Sequence, residues 1–365
     1  MFLIFAILMT LVLILGLYWM FGKWMSLYGI DTDTRKIKLL RISLGIFTLF
    51  LSSFWNIVGL IAVHLIVFFL LTELIAFFIR KHRRKNPEKM LLQPTRIFYR
   101  SGLIPVFLTA VFMIYGYWNM GHIVKTEYTV ESDKLNSGYS LLLLSDIHAG
   151  TIQKPEILEN KIAEMNSLKP DFVVLAGDIV EEGTSKKSME DIFKTLGKLK
   201  SRYGTYYVFG NHDRQNYIKN KAYSEKELEN TILSNGIHIL KDSWTKIGKD
   251  IVLAGREDLT PDFTRLTAEE LLNGADKNLF TIVADHRPVN AEENAGAGAD
   301  LMISGHTHGG QIFPVGVINE ITGLNYGMYK KNGFTAVVSS GTAGWGFPIR
   351  TEGKCEYVLI NLKSE

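Results

Sequence analysis

The sequence predicts an all-α transmembrane region at residues 1–125, followed by an α/β domain at residues 126–365. The first region contains three long apolar stretches without a charged residue, and in the second region short apolar runs alternate with amphipathic stretches. Residues 1–125 hold 14 Lys/Arg against 4 Asp/Glu, whereas residues 126–365 hold 26 against 33. A nucleic-acid-binding protein would carry its positive charge on the soluble part, so no nucleic acid is expected as a partner.

Three stretches without a charged side chain, residues 2–20, 42–72 and 101–121, are long enough to cross the hydrocarbon of a bilayer, about 30 Å thick. The middle stretch would extend roughly 46 Å as one helix, so two helices broken near Ser52, Ser53 and Asn56 fit better. We therefore predict four spans, approximately 2–21, 39–54, 57–79 and 101–121, with three spans as the alternative.

The orientation follows from the basic residues of the loop at 80–100, among them Arg80, Lys81 and Arg83, which should remain in the cytoplasm. The chain after Gly121 then lies outside. These patterns predict a multi-pass protein of the cytoplasmic membrane, with the lipid bilayer as a partner and the α/β domain on the extracytoplasmic side.

Two ionisable residues, His64 and Glu73, lie within the third predicted span. Such residues are functional candidates by default, for transport or a proton relay. The simpler interpretation is that Glu73 pairs near the inner end of the span and that His64 forms a local hydrogen bond.

The α/β domain is predicted from short apolar runs bounded by Gly, Asp or Asn, which are typical of buried strands. These runs are Leu141–Leu144, Phe172–Leu175, Tyr206–Phe209, Ile251–Ala254, Leu279–Ala284 and Leu301–Ile303, and Glu356–Leu362 alternates as a final strand. Helices are predicted from Pro155, around Met189–Leu196, and from Ser224, which starts a capping box with Glu227.

Polar side chains follow five of these strands, at the edge where α/β sheets place their ligands. They are Asp146, His148, Asp178, Asn211, His212, Asp213, Asp285, His286, His306 and His308. One such residue alone is most often a turn or a helix cap. Their joint occurrence indicates a metal site.

The donor set contains imidazole, carboxylate and one amide, because the single cysteine excludes a thiolate cluster. Mixed nitrogen and oxygen ligands favour Mn²⁺, Fe²⁺ or Zn²⁺. Seven or eight ligands are too many for one tetrahedral ion, but they suffice for two divalent ions that share a carboxylate.

The order Asp146-x-His148, Gly177-Asp178-x4-Gly183, Gly210-Asn211-His212-Asp213, His286 and Gly305-His306-Thr307-His308 resembles the calcineurin-like metallophosphoesterase superfamily. The run Gly305–Pro314 is similar to its bacterial YkuE/YaeI-like branch. The resemblance covers roughly residues 139–365, and it implies a four-layer α/β/β/α sandwich of two mixed sheets flanked by helices.

Carried over residue by residue, the resemblance implies two metal ions. One would be held by Asp146, His148, Asp178 and His308, the other by Asp178, Asn211, His286 and His306, with Asp178 as the bridge. His212 would face the phosphoryl group. Asp285 departs from the Ser or Asn that related branches often place there; it either orients His286 or faces away.

The expected reaction is attack of a metal-bridging hydroxide on a phosphate ester, a diester or a pyrophosphate. His212, if protonated by pairing with Asp213, would stabilise the developing charge. Either His148 or His212 would supply the proton of the leaving group.

Several further residues are candidates for substrate contact. Backbone N–H groups of segments 294–298 and 339–346 would bind phosphate if these segments are more than turns. Arg256 is a candidate phosphate or head-group contact. Trp345 and Phe347, next to Arg350, are candidates for contact with an acyl chain or a base.

The sequence thus favours a membrane-anchored phosphoesterase acting on a phosphorylated, lipid-linked or envelope substrate. A UDP-diacylglucosamine-type pyrophosphatase would use the same chemistry, although its substrate would be cytoplasmic. The alternatives from other classes are a membrane sensor or transporter that the α/β domain regulates, and a metal-free binding module.

Overall fold

The computed structural model describes residues 2–51, 56–85, 101–153, 155–260 and 264–365. It divides the chain into two compact units, residues 1–115 and 116–365. This division falls ten residues before the predicted domain boundary, because the last turn of a helix ending at Met120 packs with the second unit. There the Asn119 side-chain amide donates to the carbonyls of Arg350 (3.1 Å) and Gly353 (2.9 Å).

The first unit is helical. Its helices are α1 (Phe2–Leu27), α2 (Arg35–Leu51), α3 (Ile57–Lys85) and most of α4 (Leu103–Met120). Within the described residues, Ile57–Ile79 and Leu103–Met120 are the two helical stretches found long and apolar enough to cross a membrane. Membrane association is therefore supported by two helices, and the four-span topology stays a prediction.

His64 and Glu73, the two ionisable residues in the apolar part of α3, have local partners. The His64 ring nitrogen Nδ1 lies 2.9 Å from the Leu60 carbonyl oxygen, one turn earlier, and the ring packs against Phe68 and Phe112. The Glu73 carboxylate pairs with the Lys23 amine at 2.9 Å. These contacts fit a structural role better than a proton relay.

The second unit contains two mixed six-stranded sheets. The first sheet has the order β1-β12-β2-β3-β4-β5 and the second has the order β10-β11-β9-β8-β7-β6. The strands are β1 (Ile123–Ser132), β2 (Tyr139–Leu144), β3 (Phe172–Ala176), β4 (Thr205–Val208), β5 (Ile237–Ile239), β6 (Ser243–Ile247), β7 (Ile251–Gly255), β8 (Phe280–Ala284), β9 (Leu301–Ser304), β10 (Gly327–Lys331), β11 (Phe334–Val338) and β12 (Cys355–Ser364).

Alternate residues of these strands face two different cores, because side chains point to opposite faces of a sheet. On β2, Leu141 and Leu143 pack between the two sheets, whereas Leu142 and Leu144 face the helices. Helices α5 (Pro155–Ser167), α6 (Lys186–Leu196) and α7 (Glu225–Ser234) cover the outer face of the first sheet, and the short α8 (Ala268–Leu271) packs on the second. The order of layers is helix, sheet, sheet, helix. Two further helices, α9 (Ala291–Gly296) and α10 (Val315–Thr322), follow β8 and β9.

The predicted helix start at Ser224 is confirmed. Its hydroxyl accepts the Glu227 backbone N–H, while the Glu227 carboxylate accepts the N–H of Ser224. Helix α6 also has a serine cap, in which the Ser185 hydroxyl accepts the Ser188 backbone N–H. Such caps satisfy backbone donors that a helix start leaves free.

The strands absent from the sequence prediction are β11 and the four edge strands β1, β5, β6 and β10. Edge strands carry polar and charged side chains that prevent pairing with other chains, so the apolar signal is weak there. Lys125 and Glu127 on β1, and Lys330 and Lys331 on β10, illustrate this. The central strands, which position the site, are the ones that the apolar runs predict.

Candidate metal centre

The predicted ligands follow five strands of the two sheets and lie at one edge of the sandwich. Asp146 and His148 follow β2, Asp178 follows β3, Asn211 follows β4, His286 follows β8, and His306 and His308 follow β9. The sheets bring together residues as far apart in sequence as Asp146 and His306, whose backbone N–H donates to the Asp146 carboxylate at 3.0 Å.

Most of these ligands have a left-handed backbone. The φ angles of Asp146, His148, Asp178, His306 and His308 lie between 46° and 73°. This conformation is uncommon for residues other than glycine, and it persists only where the surrounding structure enforces it. Here the Asp146 N–H donates to the Gly177 carbonyl and the His148 N–H to the Asp178 carbonyl, so the turns after β2 and β3 hold each other.

The side chains form two triads. The ligand atoms of Asp146, His148 and His308 lie within 4.8 Å of one another, and those of Asp178, His286 and His306 form the second such group. In the second triad His286 Nε2 is 3.0 Å from an Asp178 carboxylate oxygen. Two neighbouring groups of mixed nitrogen and oxygen donors suit two divalent ions such as Mn²⁺, Fe²⁺ or Zn²⁺.

Orphaned polar atoms test this assignment. The Nε2 atom of His148 and the Oδ1 atom of Asn211 are buried and have no hydrogen-bond partner among the described residues. Buried polar atoms are nearly always paired, and a cation would satisfy both. The residues present therefore fit a pair of metal ions.

The protonation states of the histidines also suit ligands. Burial lowers the pKa of His306 to about 4 and that of His308 to about 3, so both rings are neutral and available as ligands at neutral pH. Burial acts in the same direction on His286, but the attraction of Asp178 outweighs it and raises the pKa to about 10. A cation held by His286 and Asp178 would take the place of that proton.

Two consecutive carboxylates, which the sequence analysis does not single out, orient two of the histidines. A Glu181 carboxylate oxygen lies 3.0 Å from His148 Nδ1, and a Glu182 oxygen lies 2.6 Å from His212 Nδ1. A carboxylate on one ring nitrogen directs the other nitrogen toward the metal or the substrate. The only sequence signal is their position between Gly177-Asp178 and Gly183.

His212 lies at the mouth of the centre. Its ring is 5.5 Å from that of His148, and the rings of Tyr217 and Trp345 flank it at 5.3 and 5.6 Å. Burial lowers its pKa, but the bond to Glu182 and the charge of Asp178 outweigh this and raise the pKa to about 9. His212 is therefore a cation at neutral pH in the metal-free protein.

The expected pairing of His212 with Asp213 is wrong. Asp213 is fully buried and points away from the mouth, where its carboxylate accepts the backbone N–H groups of Asp178, Ile179, Val180 and Gly210 at 2.6–3.2 Å. It ties the turn after β3 to the turn after β4. Asp213 therefore positions the loops, and Glu182 is the partner of His212.

Arg256, which the sequence offers as a phosphate or head-group contact, is structural instead, and so is Arg350. Arg256 is buried and donates to the side chains of Asn294 and Glu293. Arg350 is buried and donates to the carbonyls of His308, Ser340 and Ala343. Both guanidinium groups are engaged within the protein, so neither meets a phosphate.

Asp285 faces away from His286 and pairs with Arg265, while His286 Nδ1 bonds to the Ala176 carbonyl at 2.8 Å.

In segment 339–346, the N–H groups of Thr342 and Ala343 donate to the carbonyls of Ser145 and Asp146. In segment 294–298, backbone N–H groups complete the end of α9. These groups build turns, and they are not available to bind phosphate.

The different roles of Asp213 and His212 give a testable contrast. Asp213→Asn places an amide against backbone donors, which should cost about 3 kcal/mol and lower the unfolding midpoint by roughly 10 °C. His212→Gln should leave the midpoint near that of the wild type and lower turnover about 100-fold. Thermal unfolding and phosphoester hydrolysis measure both. A stable but inactive Asp213→Asn protein would contradict the structural role.

A cavity of about 1490 Å³ opens beside the second triad, where His306 and Thr307 form part of its wall. Apolar side chains line much of it, including Val289, Leu324 and Phe334. The cavity is large enough for a substrate group much bigger than a phosphate.

Several known proteins are similar to this chain. The family described as calcineurin-like phosphoesterase matches residues 139–310. An uncharacterized metallophosphoesterase of Campylobacter jejuni is 30% identical over 282 residues, covering 74% of this chain and 71% of the relative.

Two further relatives extend the comparison. A Danio rerio protein described as a transmembrane protein with metallophosphoesterase domain is 32% identical over 285 residues, covering 73% of this chain and 63% of the relative. An uncharacterized metallophosphoesterase of Helicobacter pylori is 31% identical over 234 residues, covering 63% and 61%. The chain thus spans about three fifths of the length of these two relatives.

Proposed function

This chain belongs to the calcineurin-like phosphoesterase family, and we propose that it is a membrane-anchored, dinuclear metal-dependent phosphoesterase. The observation that carries the proposal is the pair of neighbouring triads, Asp146-His148-His308 and Asp178-His286-His306. Asn211 completes the second group, and Asp178 is the shared carboxylate. When bound, the two ions supply Lewis acidity and lower the pKa of a coordinated water.

His212 supplies a further positive charge beside the proposed metal ions. Its cationic ring, held by Glu182 at 2.6 Å, faces the position of a phosphoryl group next to His148 and stabilises charge on the phosphoryl oxygens. It also provides a proton for the leaving oxygen, whereas His148 is occupied as a ligand and is fixed by Glu181. Glu182 is therefore a positioning residue for His212.

The substrate is proposed to be a lipid-linked or envelope phosphate ester, diester or pyrophosphate. The apolar side chains in the wall of the cavity beside His306, among them Val289, Leu324 and Phe334, suit an acyl group. Anchoring by Ile57–Ile79 and Leu103–Met120 would keep the site near lipid substrates. The basic residues between positions 80 and 100 support placing the second unit on the extracytoplasmic side, in a multi-pass topology.

Chelation tests the proposal directly. Full-length protein treated with EDTA should lose at least about 100-fold of its activity on bis-p-nitrophenyl phosphate, and added Mn²⁺ or Zn²⁺ should restore it. Parallel assays with p-nitrophenyl phosphate, phosphatidyl lipids and UDP-sugars separate monoester, diester and pyrophosphate specificity. Hydrolysis that persists in metal-free protein, or metal-loaded protein that cleaves none of these compounds, would contradict the proposal.

A further inference from the structure

Helix α10 exposes an apolar face directly after the turn that carries His306 and His308. Val317, Ile318 and Ile321 lie at positions i, i+1 and i+4, which share one side of a helix. All three are exposed, and Ile321 is 83% exposed. An isolated exposed apolar residue is common, but a cluster on one short helix marks a binding surface.

The beginning of α10 is tied to the loop at 349–353. The Glu352 carboxylate accepts the backbone N–H groups of Gly316 at 2.7 Å and Val317 at 3.1 Å. These are donors that the first turn of a helix leaves free, and a carboxylate there is favourable. Glu352 thus holds α10 in one position on the second unit.

The same loop is tied to the last turn of α4. The Arg350 N–H donates to the Gly116 carbonyl at 2.9 Å, and Asn119 donates to the carbonyls of Arg350 and Gly353. Gly116 is so close to the loop that a Cβ atom there would lie 2.7 Å from Ile349. A single five-residue segment therefore joins the end of α4 to the start of α10.

Two aromatic residues mark where α4 would leave the bilayer. Tyr117 and Trp118, in its last turn, are 64% and 58% exposed. Tyr and Trp concentrate at the level of the lipid head groups, where one end of the ring is apolar and the other is wet. Because the loop at 349–353 contacts both elements, α10 lies near the last turn of α4.

We propose that α10 docks on the phospholipid bilayer that α4 enters, with Val317, Ile318 and Ile321 among the lipids at the interface. This inference rests on the proposed membrane anchoring by α4, and it identifies the membrane surface as a second point of attachment. A helix with one apolar face lies in the interfacial plane in this way.

Docking of α10 gives the site access to lipid. Gly323 and Leu324, which directly follow the helix, line the cavity whose wall also contains His306 and Thr307. An acyl group that leaves the bilayer at α10 would therefore reach the cavity beside the second triad. The proposed substrate class becomes more specific: a phosphoester carried by a membrane lipid.

The test uses the full chain in nanodiscs of phosphatidylcholine and phosphatidylglycerol. An environment-sensitive fluorophore is attached to Ile321→Cys, and the matched control is Leu233→Cys, because Leu233 is 55% exposed on α7. The native Cys355 is buried and should not react. Quenching by lipids with a spin label near the head group should be at least about threefold stronger at position 321 than at 233.

An activity assay distinguishes this proposal from the phosphoesterase proposal. Ile321→Glu should lower hydrolysis of a phospholipid in vesicles about tenfold and leave hydrolysis of bis-p-nitrophenyl phosphate unchanged, whereas Leu233→Glu should change neither. Equal quenching at positions 321 and 233 would overturn the docking of α10. Absence of all hydrolysis, with strong quenching at 321, would overturn the phosphoesterase function alone.

Discussion

Asp178→Asn is expected to abolish phosphoester hydrolysis, with a loss of about 1,000-fold or more. The amide retains the size of the side chain, but it removes the negative charge and one oxygen from the carboxylate that we propose the two ions share. His286 Nε2 is 3.0 Å from an Asp178 oxygen, so this triad also loses its anionic member. Metal analysis should find less than one ion per chain, against about two in the wild type.

Two variants serve as controls for this result. Asp146→Asn changes only the first triad, so the second should retain about one ion while turnover falls. Asp191→Asn alters an exposed carboxylate on α6 that pairs with Lys187, and it should change neither metal content nor turnover. An Asp178→Asn protein that binds two ions and hydrolyses its substrate normally would contradict the assigned centre.

The convergence of the polar ligand residues on one edge is predictable from the sequence, whereas their division between two ions is implied by the resemblance to metallophosphoesterases. Each central strand has a buried apolar run, and the carboxyl ends of parallel strands meet at one edge of a sheet. Asp146, Asp178, Asn211, His286 and His306 directly follow such runs. Their approach also requires that the two sheets stack, because each triad takes residues from both sheets.

The partners of the histidines are not predictable in this way. Adjacency in sequence suggests His212 with Asp213, yet the turn after β4 directs Asp213 inward to four backbone donors. The partner is Glu182, thirty residues earlier, which reaches His212 from the loop after β3. Such a contact depends on the relative path of two loops, and apolar periodicity carries no information about it.

Charge alone is an equally poor guide to the arginines. Arg256 follows β7, at a position where a phosphate contact is reasonable, but its guanidinium bonds Asn294 and Glu293. A buried arginine must be paired, and neighbouring carboxylates often supply the pair. The sequence shows that a positively charged side chain is present. Whether its guanidinium group contacts a ligand or pairs with buried groups depends on the fold.

Gly210→Ala should be nearly as damaging as Asp178→Asn, although it alters no chemical group of the site. A Cβ atom at Gly210 would lie 2.2 Å from Asp178 Oδ1 and 2.5 Å from the Asp178 backbone nitrogen. The nitrogen cannot move away, because its N–H donates to Asp213. The proposed shared carboxylate must then leave its place, at a cost of about 1–3 kcal/mol in stability from overpacking.

The expected result for Gly210→Ala is a loss of both metal ions and at least about a 100-fold loss of turnover, measured by metal analysis and phosphoester hydrolysis. Gly296→Ala is the matched control, since a Cβ atom there meets nothing within 4 Å and its backbone is not left-handed. That variant should bind and hydrolyse as the wild type does. If Gly210→Ala keeps its two ions, Asp178 tolerates displacement, and close packing of β3 against the turn after β4 does not hold the centre together.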